Sequence, residues 1–299
     1  DGDGYYLLGT PEAMAWFAYK VNQGNYGYNA KLTDNIDLFG VGYGGRTAAD
    51  ATIDNIDNAL LWTPFGDFST QYTGTFEGNH KYISNLRVSI DNAYVSTGFF
   101  GTLGNNAKVL NLGIATGKVT GKADGTGGVI GHVRGKNVRI INCWNNASIS
   151  SVLNLGGIVG SSYASDGLLV EGCYNLGTIN NNGGSGSGSG GIYGRSDAHT
   201  LTVKNCLNLG RVTALAASRS SGGIQAGANV ISKPSVENCL NVGQVTGSTA
   251  RGAIFGESSS PIKNCYYDNQ TSLAGGGTAT GLTTEHAKSW AAAFALNGQ

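Results

Sequence analysis

Residues 138–144 read VRIINCW, and this run of alternating apolar residues, an asparagine, a cysteine and an aromatic residue decides the fold because it recurs. Variants of it stand at residues 168–174, 201–207, 235–240 and 261–266, each with a cysteine preceded by Asn or Gly. The five cysteines are 30, 33, 33 and 26 residues apart. A repeat of this length is typical of a solenoid, in which each unit packs only on its neighbours.

Other parts of the repeat follow the same period. Residues 83–86 and 109–112 match the unit with Leu in place of Cys, which makes seven units. A glycine-rich block separates them and stands at residues 98–101, 127–131, 156–160, 190–194, 222–226 and 252–256. With a third apolar run after each cysteine, three short strands fill 26 to 33 residues, so they must pair with their copies in adjacent coils. We predict an all-β, right-handed parallel β-helix of seven triangular coils, with the hand set by its parallel crossovers.

The repeat also predicts which side chains share a column. Two apolar columns should face the core: Phe99, Val129, Ile158, Ile192, Ile224 and Ile254, and Ile83, Val109, Ile140, Val170, Val203, Val236 and Ile262. A charged column should face water: Glu171, Lys204, Glu237 and Lys263. Asparagine tolerates left-handed turns, so two asparagine ladders should mark corners. They are Asn85, Asn111, Asn142, Asn205, Asn238 and Asn264, and Asn145, Asn175, Asn208 and Asn241.

Helices are predicted near both ends, where an open strand edge would promote aggregation. Thr10 followed by Pro11 is a typical helix start and leads into residues 13–21. Residues 283–285 similarly precede a helix that includes residues 290–296. We interpret both helices as caps of the solenoid.

The chain is expected to form a single domain over residues 1–299. Its parts are an N-terminal cap with the first coils at residues 1–60, regular coils at 61–270 and a C-terminal cap at 271–299. The glycine and serine run at residues 183–191 is predicted to be a mobile loop within one coil.

The composition limits the partners of the protein. Lys and Arg number 19, Asp and Glu also number 19, and no basic run occurs, so the attraction that drives nucleic-acid binding is missing. No apolar stretch approaches the roughly 20 residues that cross a bilayer, so we expect no membrane insertion. Charged residues make up only 13% of the chain, which predicts a largely neutral polar surface. We expect a monomer.

Six stretches carry a resemblance to known proteins: residues 10–22 (TPEAMAWFAYKVN), 30–38 (AKLTDNIDL), 62–66 (WTPFG), 74–86 (GTFEGNHKYISNL), 98–101 (GFFG) and 265–268 (CYYD). In this order they resemble the GLUG-repeat β-helix regions of bacterial surface and adhesin-like proteins, which also occur as non-catalytic regions of immunoglobulin A1 metallopeptidases. The resemblance implies an extracellular or cell-surface location, after removal of a signal, and a role in attachment or display. It carries no catalytic residue to this chain, because the zinc-peptidase motif HExxH is absent.

Two columns of aromatic residues are candidate ligand-binding surfaces. The column after the cysteines contains Trp144 and Tyr174 one coil apart, and aromatic faces suit the C–H patches of sugar rings. This column also contains Arg87, Gly113, Leu207, Leu240 and Tyr266, so packing under a loop is the alternative. Strict alternation turns a second column outward: Phe100, Ile130, Val159, Tyr193, Gln225 and Phe255. It would form an interaction surface unless variable loops cover it.

Neither a metal site nor a catalytic site is predicted. The cysteines form no CxxC motif and exchange with Leu, which indicates reduced thiols in the core. An enzyme acting on polysaccharides would need paired acids or a base near a cation site. The polar residues nearest to that requirement are scattered over several coils: His132, Asp166, Arg195, Asp197, His199 and Glu257. We expect no catalytic residue, no cofactor and no metal.

The sequence therefore predicts a non-enzymatic surface or secreted module for adhesion, for binding of a glycan or a host or extracellular protein, or for rigid display. The alternative is a carbohydrate-active enzyme, a polysaccharide lyase or glycoside hydrolase, on the same scaffold.

Overall fold

The strands pair with their own copies one coil away, as their short lengths require. The structure is a computed structural model that describes residues 2–38, 61–122, 124–163, 166–183, 187–198, 200–215, 218, 220–228, 233–247, 250–257, 261–272, 275 and 278–297. Equivalent residues of successive coils stand opposite each other in parallel register. The prediction of an all-β parallel β-helix with a helix near each end is confirmed.

Five parallel sheets run along the solenoid, numbered here in the order in which one coil visits them. Sheet 1 contains Leu86–Ile90, Gly117–Gly121, Ser148–Ser151, Ile179–Asn181, Val212–Ala214 and Val245–Thr246. Sheet 2 contains Thr126–Gly127, Leu155–Gly156, Gly188–Gly190, Ser220–Gly222 and Ala250–Gly252. Sheet 3 contains Phe100–Leu103, Ile130–Val133, Val159–Tyr163, Tyr193–Asp197 and Gln225–Ala228.

Sheets 4 and 5 are the longest and include the N-terminal strands. Sheet 4 contains Tyr5–Leu8, Asn29–Leu32, Thr75–Glu77, Lys108–Leu110, Arg139–Ile141, Leu168–Glu171, Thr200–Lys204, Lys233–Glu237 and Ile262–Lys263. Sheet 5 contains Ile36–Asp37, Tyr82–Ser84, Gly113–Ile114, Trp144–Asn145, Tyr174–Asn175, Leu207–Asn208, Leu240–Asn241, Tyr266–Asp268 and Thr280–Leu282. A regular coil thus has five short strands instead of the predicted three. The cysteine unit spans sheets 4 and 5, and the glycine-rich block spans sheets 2 and 3.

Left-handed asparagines divide the cysteine unit between sheets 4 and 5. The corner residues Asn111, Asn142 and Asn205 have φ values of 52°, 54° and 56°, and the coil that lacks asparagine here uses Gly172 at 64°. Asn142 donates a side-chain hydrogen bond of 3.1 Å to Asn111. Only residues that tolerate positive φ fit this corner, which explains the Asn or Gly before each cysteine.

The second asparagine ladder is fully buried at the corner between sheets 5 and 1. Side-chain amides bond from coil to coil, from Asn145 to Asn175 (2.9 Å), from Asn175 to Asn208 (2.9 Å) and from Asn208 to Asn241 (2.8 Å). Each amide group also bonds the backbone two residues further along its own coil. The predicted ladder is confirmed, and its polar groups are satisfied by the repeat itself.

The predicted core columns are confirmed except in the first unit. All five cysteines are free and buried, and Leu112 continues their column. Ile83, however, lies in sheet 5, and Phe76 fills the sheet 4 column instead. Leu86 and Arg87 lie in sheet 1, so Asn85 marks a different corner. Six units, not seven, follow the cysteine register in the described part of the chain.

The N-terminal helix, Pro11–Asn22, closes one end of the core as predicted. The Thr10 hydroxyl accepts the amide of Ala13 at 3.2 Å, which caps the helix. Phe17 is fully buried and its ring lies 5.9 Å from that of Phe65. The predicted coils within residues 39–60 lie outside the described residues.

The C-terminal helix, Thr284–Asn297, lies beside the solenoid instead of across its end. Ala291 packs with Leu207 and Leu240 on the outer face of sheet 5, and the ring of Trp290 lies 4.8 Å from that of Tyr266. The helix stands at the C-terminal end as predicted, and it packs on the outer face of the last strands of sheet 5. The helix packs against apolar side chains on the outer face of sheet 5 because burial of apolar surface is favourable. Of the helices described, none is long and apolar enough to cross a membrane.

Candidate functional site

Three aromatic side chains form a strip on the outer face of sheet 5. Tyr82, Trp144 and Tyr174 occupy one register position, with Gly113 between the first two. We call these three residues the aromatic strip. Tyr82 is 37% exposed, and Trp144 and Tyr174 are half-buried. The strip is therefore a surface feature of the solenoid wall.

Gly113 makes room for the indole of Trp144. A Cβ atom at position 113 would lie 2.2 Å from Cε2 and 2.5 Å from Nε1 of Trp144, so the indole covers the bare backbone of the preceding coil. The rings of Trp144 and Tyr174 are stacked, with centroids 5.8 Å apart and planes within 6°. Tyr82 tilts against the other side of Trp144 at 6.3 Å. The three rings hold one another in fixed positions.

The same column changes character towards the C-terminus. Leu207 and Leu240 follow Tyr174 and are buried beneath the C-terminal helix, and Trp290 meets Tyr266 edge to face. The C-terminal helix thus covers this part of the column. Partial burial also raises the pKa of Tyr174, so its hydroxyl stays protonated at neutral pH.

The second predicted aromatic column is buried. Tyr193 is 0% exposed and Phe255 is 7% exposed, so neither ring offers a face to a ligand at the surface. Strict alternation fails here because the chain bends at the glycine-rich block. Phe99 and Phe100 are consecutive, yet both rings contact Phe76, at 5.9 and 5.3 Å. Both positions after the glycines therefore face the core.

Polar residues form a cluster on sheet 3 that the sequence only partly indicated. His132, Ser161 and Arg195 stand in register on successive strands. The guanidinium of Arg195 lies 3.6 Å from a carboxylate oxygen of Asp197 and 3.6 Å from one of Glu257. These three charged side chains are only 13%, 26% and 18% exposed. The cluster is a partly buried ion-pair network.

His132 is buried beside this network. Its Nδ1 lies 2.8 Å from the Ser161 hydroxyl, and the ring of Phe68 lies 5.1 Å away. Burial lowers the pKa of His132 to about 4, so the ring is neutral at pH 7. His132 is therefore enclosed by its neighbours, with 2% of its surface exposed. Asp166, also considered from the sequence, bonds the Thr200 hydroxyl, and His199 lies outside the described residues.

Among the residues described, no group of three or more His, Cys, Asp or Glu side chains is placed to hold a metal ion. Burial raises the pKa of Cys143, Cys173, Cys206 and Cys239, which keeps these thiols protonated.

Comparison with known proteins supports the fold alone. No protein-family model matches the chain, and no curated protein matches its sequence. Its structure is similar to the crystal structure of a Bacteroides ovatus protein that carries the name of an immunoglobulin A1 protease. The TM-score is 0.70, the sequence identity is 22%, and the match covers 88% of this chain and 75% of that chain. The chain therefore shares a β-solenoid architecture with that protein.

Proposed function

We propose that the protein is a non-enzymatic carbohydrate-binding module, secreted or held at a bacterial surface, whose ligand stacks on the aromatic strip. The observation that carries this proposal is the stacked, partly exposed pair of Trp144 and Tyr174 on a rigid sheet. The Trp144 and Tyr174 rings face each other, so the apolar area that they present to the C–H groups of a sugar is their outward surface together with that of Tyr82. Fixed rings lose little entropy on binding. The resemblance to GLUG-repeat regions of adhesin-like proteins agrees with this role.

The contact between Trp290 and Tyr266 supports the same reading of this face. The C-terminal helix places the Trp290 ring on Tyr266 and packs Ala291 with Leu207 and Leu240 of the same column. Further along the column, Tyr174 packs against the cluster of Leu207, Leu240 and Ala291, and Trp144 and Tyr82 continue the same kind of surface. A sugar ring would occupy there the kind of position that Trp290 occupies over Tyr266.

Affinity electrophoresis and calorimetry with soluble polysaccharides test the proposal, using mannan, laminarin, xyloglucan and pullulan as probes. Trp144→Ala and Tyr174→Ala should each weaken binding by about 5- to 30-fold, since the lost ring contact is worth about 1–2 kcal/mol. Tyr94→Ala is the matched control, because Tyr94 is 83% exposed in a different part of the chain. It should leave affinity unchanged.

Folding of each variant is checked by thermal denaturation, and Trp144→Phe preserves a ring if Trp144→Ala is unstable. A folded Trp144→Ala protein that binds as well as the wild type would refute the proposed site. Binding to purified extracellular-matrix proteins without binding to any glycan would replace the glycan by a protein ligand. No binding to either class would leave rigid display as the function.

The alternative is an enzyme that uses the ion-pair network on sheet 3. That hypothesis rests on Asp197 and Glu257, the two carboxylates beside Arg195. Release of reducing ends or unsaturated products from these polysaccharides, abolished by Glu257→Gln, would establish it. We expect no product, because the flanking carboxylates are ion-paired to Arg195 and largely buried.

A further inference from the structure

The outer face of sheet 4 carries two charge patterns. In its C-terminal half, Glu171, Lys204, Glu237 and Lys263 alternate in sign on successive strands. Lys204 forms an ion pair of 3.0 Å with Glu171. Opposite charges side by side on neighbouring strands stabilise a sheet, so this column neutralises itself.

The N-terminal half of sheet 4 lacks this alternation of charge. Lys108 and Arg139 stand directly opposite each other on adjacent strands, and both are exposed. Like charges in this position are destabilising. Lys136, three residues before Arg139, adds a third exposed cation, and its carbonyl accepts the amide of Asn106 in the neighbouring coil. We call Lys108, Lys136 and Arg139 the basic patch.

The carboxylates nearest in register are engaged elsewhere. Glu77 accepts the backbone amide of Asn79 at 2.7 Å and the side-chain amide of Asn111 at 3.0 Å. Glu171 pairs with Lys204. Within the described ranges, no ion pair joins an acid to any residue of the basic patch. The patch therefore keeps its positive charge although the whole chain has a formal net charge of zero.

The basic patch and the aromatic strip belong to the same coils. Arg139 precedes Trp144 by five residues, and Lys108 precedes Gly113 by five, with one asparagine corner between each pair. At about 3.3 Å per extended residue, the backbone path is at most about 17 Å. A single oligosaccharide can therefore contact both features.

We propose that the ligand of the aromatic strip is an acidic polysaccharide, whose carboxylate or sulfate groups bind the basic patch. This inference rests on the proposed carbohydrate-binding function. Arginine matches the geometry of carboxylate and sulfate groups through two parallel N–H donors, and lysine adds a mobile point charge. A binding role explains why sheet 4, which alternates charges in its C-terminal half, keeps two cations side by side in its N-terminal half. Nucleic acid is less suited, because three cations supply only a small part of the contacts that duplex binding uses.

Matched pairs of polysaccharides test this inference. Polygalacturonate, alginate and hyaluronan are each compared with their carboxyl-reduced forms, which keep the backbone and lose the charge. The wild type should bind at least one acidic form about tenfold more tightly than its reduced form at low salt. This difference should disappear at about 1 M salt, where the Debye length is about 3 Å.

A double variant, Lys108→Ser with Arg139→Ser, leaves one cation of the basic patch and should lose most of this preference, about three- to tenfold in affinity for the acidic form. Its matched control is Lys204→Ser with Lys263→Ser, which removes the same charge from the same sheet and should keep the preference. Trp144→Ala should weaken binding to both forms.

Each failure has its own signature. Equal wild-type binding of charged and reduced forms, or a preference that survives the loss of Lys108 and Arg139, overturns the inference and leaves the proposed function. Binding that requires Lys108 and Arg139 but is unchanged in Trp144→Ala overturns the proposed function and leaves the basic patch as a polyanion site. Absence of binding to every form overturns both.

Discussion

The buried asparagine ladder should be the most costly polar feature to remove, and Asn175→Ala measures its contribution. The Asn175 side chain donates to Asn208 at 2.9 Å and to the carbonyl of Gly177 at 2.9 Å. It also accepts from Asn145 at 2.9 Å and from the amide of Gly177 at 3.2 Å. At about 1 kcal/mol net for each bond, and with partner groups left unpaired away from water, we expect a loss of about 4 kcal/mol. That is a large part of the 5–15 kcal/mol typical of a folded domain.

Guanidinium chloride titration followed by circular dichroism provides the measurement. The control is Asn205→Gly, at an exposed corner where φ is 56° and where another coil already uses Gly172. Glycine adopts that conformation freely, so we expect a loss below about 1 kcal/mol. Asn205→Ala should cost about 1–2 kcal/mol because alanine is strained there. An Asn175→Ala loss no larger than that of Asn205→Gly would refute the argument that the ladder stabilises the solenoid.

Three further predictions follow from the site and the core. Gly113→Val places side-chain atoms where the indole of Trp144 lies, so it should displace that ring and weaken glycan binding about 5- to 30-fold, as Trp144→Ala does. The unfolding midpoint should change little, and unaltered calorimetric affinity would contradict this prediction. Burial lowers the pKa of His132 to about 4 from the ordinary 6.5, so the unfolded chain takes up a proton that the folded chain resists. The effect of this proton uptake on the free energy of unfolding should be absent above about pH 6.5. It should destabilise the protein by up to about 3 kcal/mol as the pH falls towards 4. Denaturation of His132→Gln should show a flatter pH dependence over that range, and identical slopes would exclude the assignment. A hydrogen bond with the Cys239 thiol lowers the pKa of Cys265, whereas burial raises the pKa of the other four thiols. Because the thiolate is the reactive form, Cys265 should be alkylated first in the native protein. Mass spectrometry after a short iodoacetamide pulse identifies the labelled site, and equal labelling of all five would oppose it.

The core columns could be predicted from the sequence because a solenoid repeats one environment. Val109, Ile140 and Val170 are recognisable as one column since each coil needs the same inward residue at the same offset. The cysteine column follows from the exchange with Leu112. Wherever the local chemistry is repeated in every coil, aligning the units suffices to locate a residue in space.

The first unit was assigned wrongly because two left-handed asparagines occur six residues apart. Asn79, with φ 51°, lies at the corner between sheets 4 and 5, whereas Asn85, with φ 56°, lies at the following corner into sheet 1. The segment around Asn85 resembles the repeat more closely in sequence. Only the register of sheet 5, in which Ile83 stands opposite Ile114, shows which of these two asparagines lies at the corner between sheets 4 and 5.

The glycine run at residues 183–191 has the composition of a flexible linker, and the predicted mobile loop is wrong for its described end, whereas residues 184–186 lie outside the described residues. Its end, Gly188–Gly190, is a buried strand of sheet 2. A Cβ atom at Gly190 would lie 1.9 Å from the carbonyl oxygen of Tyr193, so glycine is required by close packing between sheets 2 and 3. Composition alone cannot distinguish a glycine that provides backbone flexibility from one that is required because a side chain would not fit.

The binding site could be predicted only in part, because burial depends on how coils bend. The Trp144 and Tyr174 positions were identified as a candidate strip, but Tyr193 and Phe255 were assigned to the surface by an alternation that the glycine bend interrupts. Lys108 and Arg139 of the basic patch share a column of the repeat, but the repeat alone does not identify them as a site. The net charge of the chain gives no sign of the basic patch, since 19 cations balance 19 anions over the whole chain.

In a solenoid, each side chain lies beside the equivalent residue of the next coil. A favourable contact between the two indicates that the residue has a structural role. Asn145 bonds Asn175, and Lys204 pairs with Glu171, so the fold itself explains these residues. Lys108 beside Arg139 gains nothing from its counterpart and is instead repelled by it. Selection for stability alone would replace one member of such a pair by an acid, as in the next column of the same sheet. A residue whose column neighbour fails to satisfy it is therefore the better candidate for contact with an external ligand.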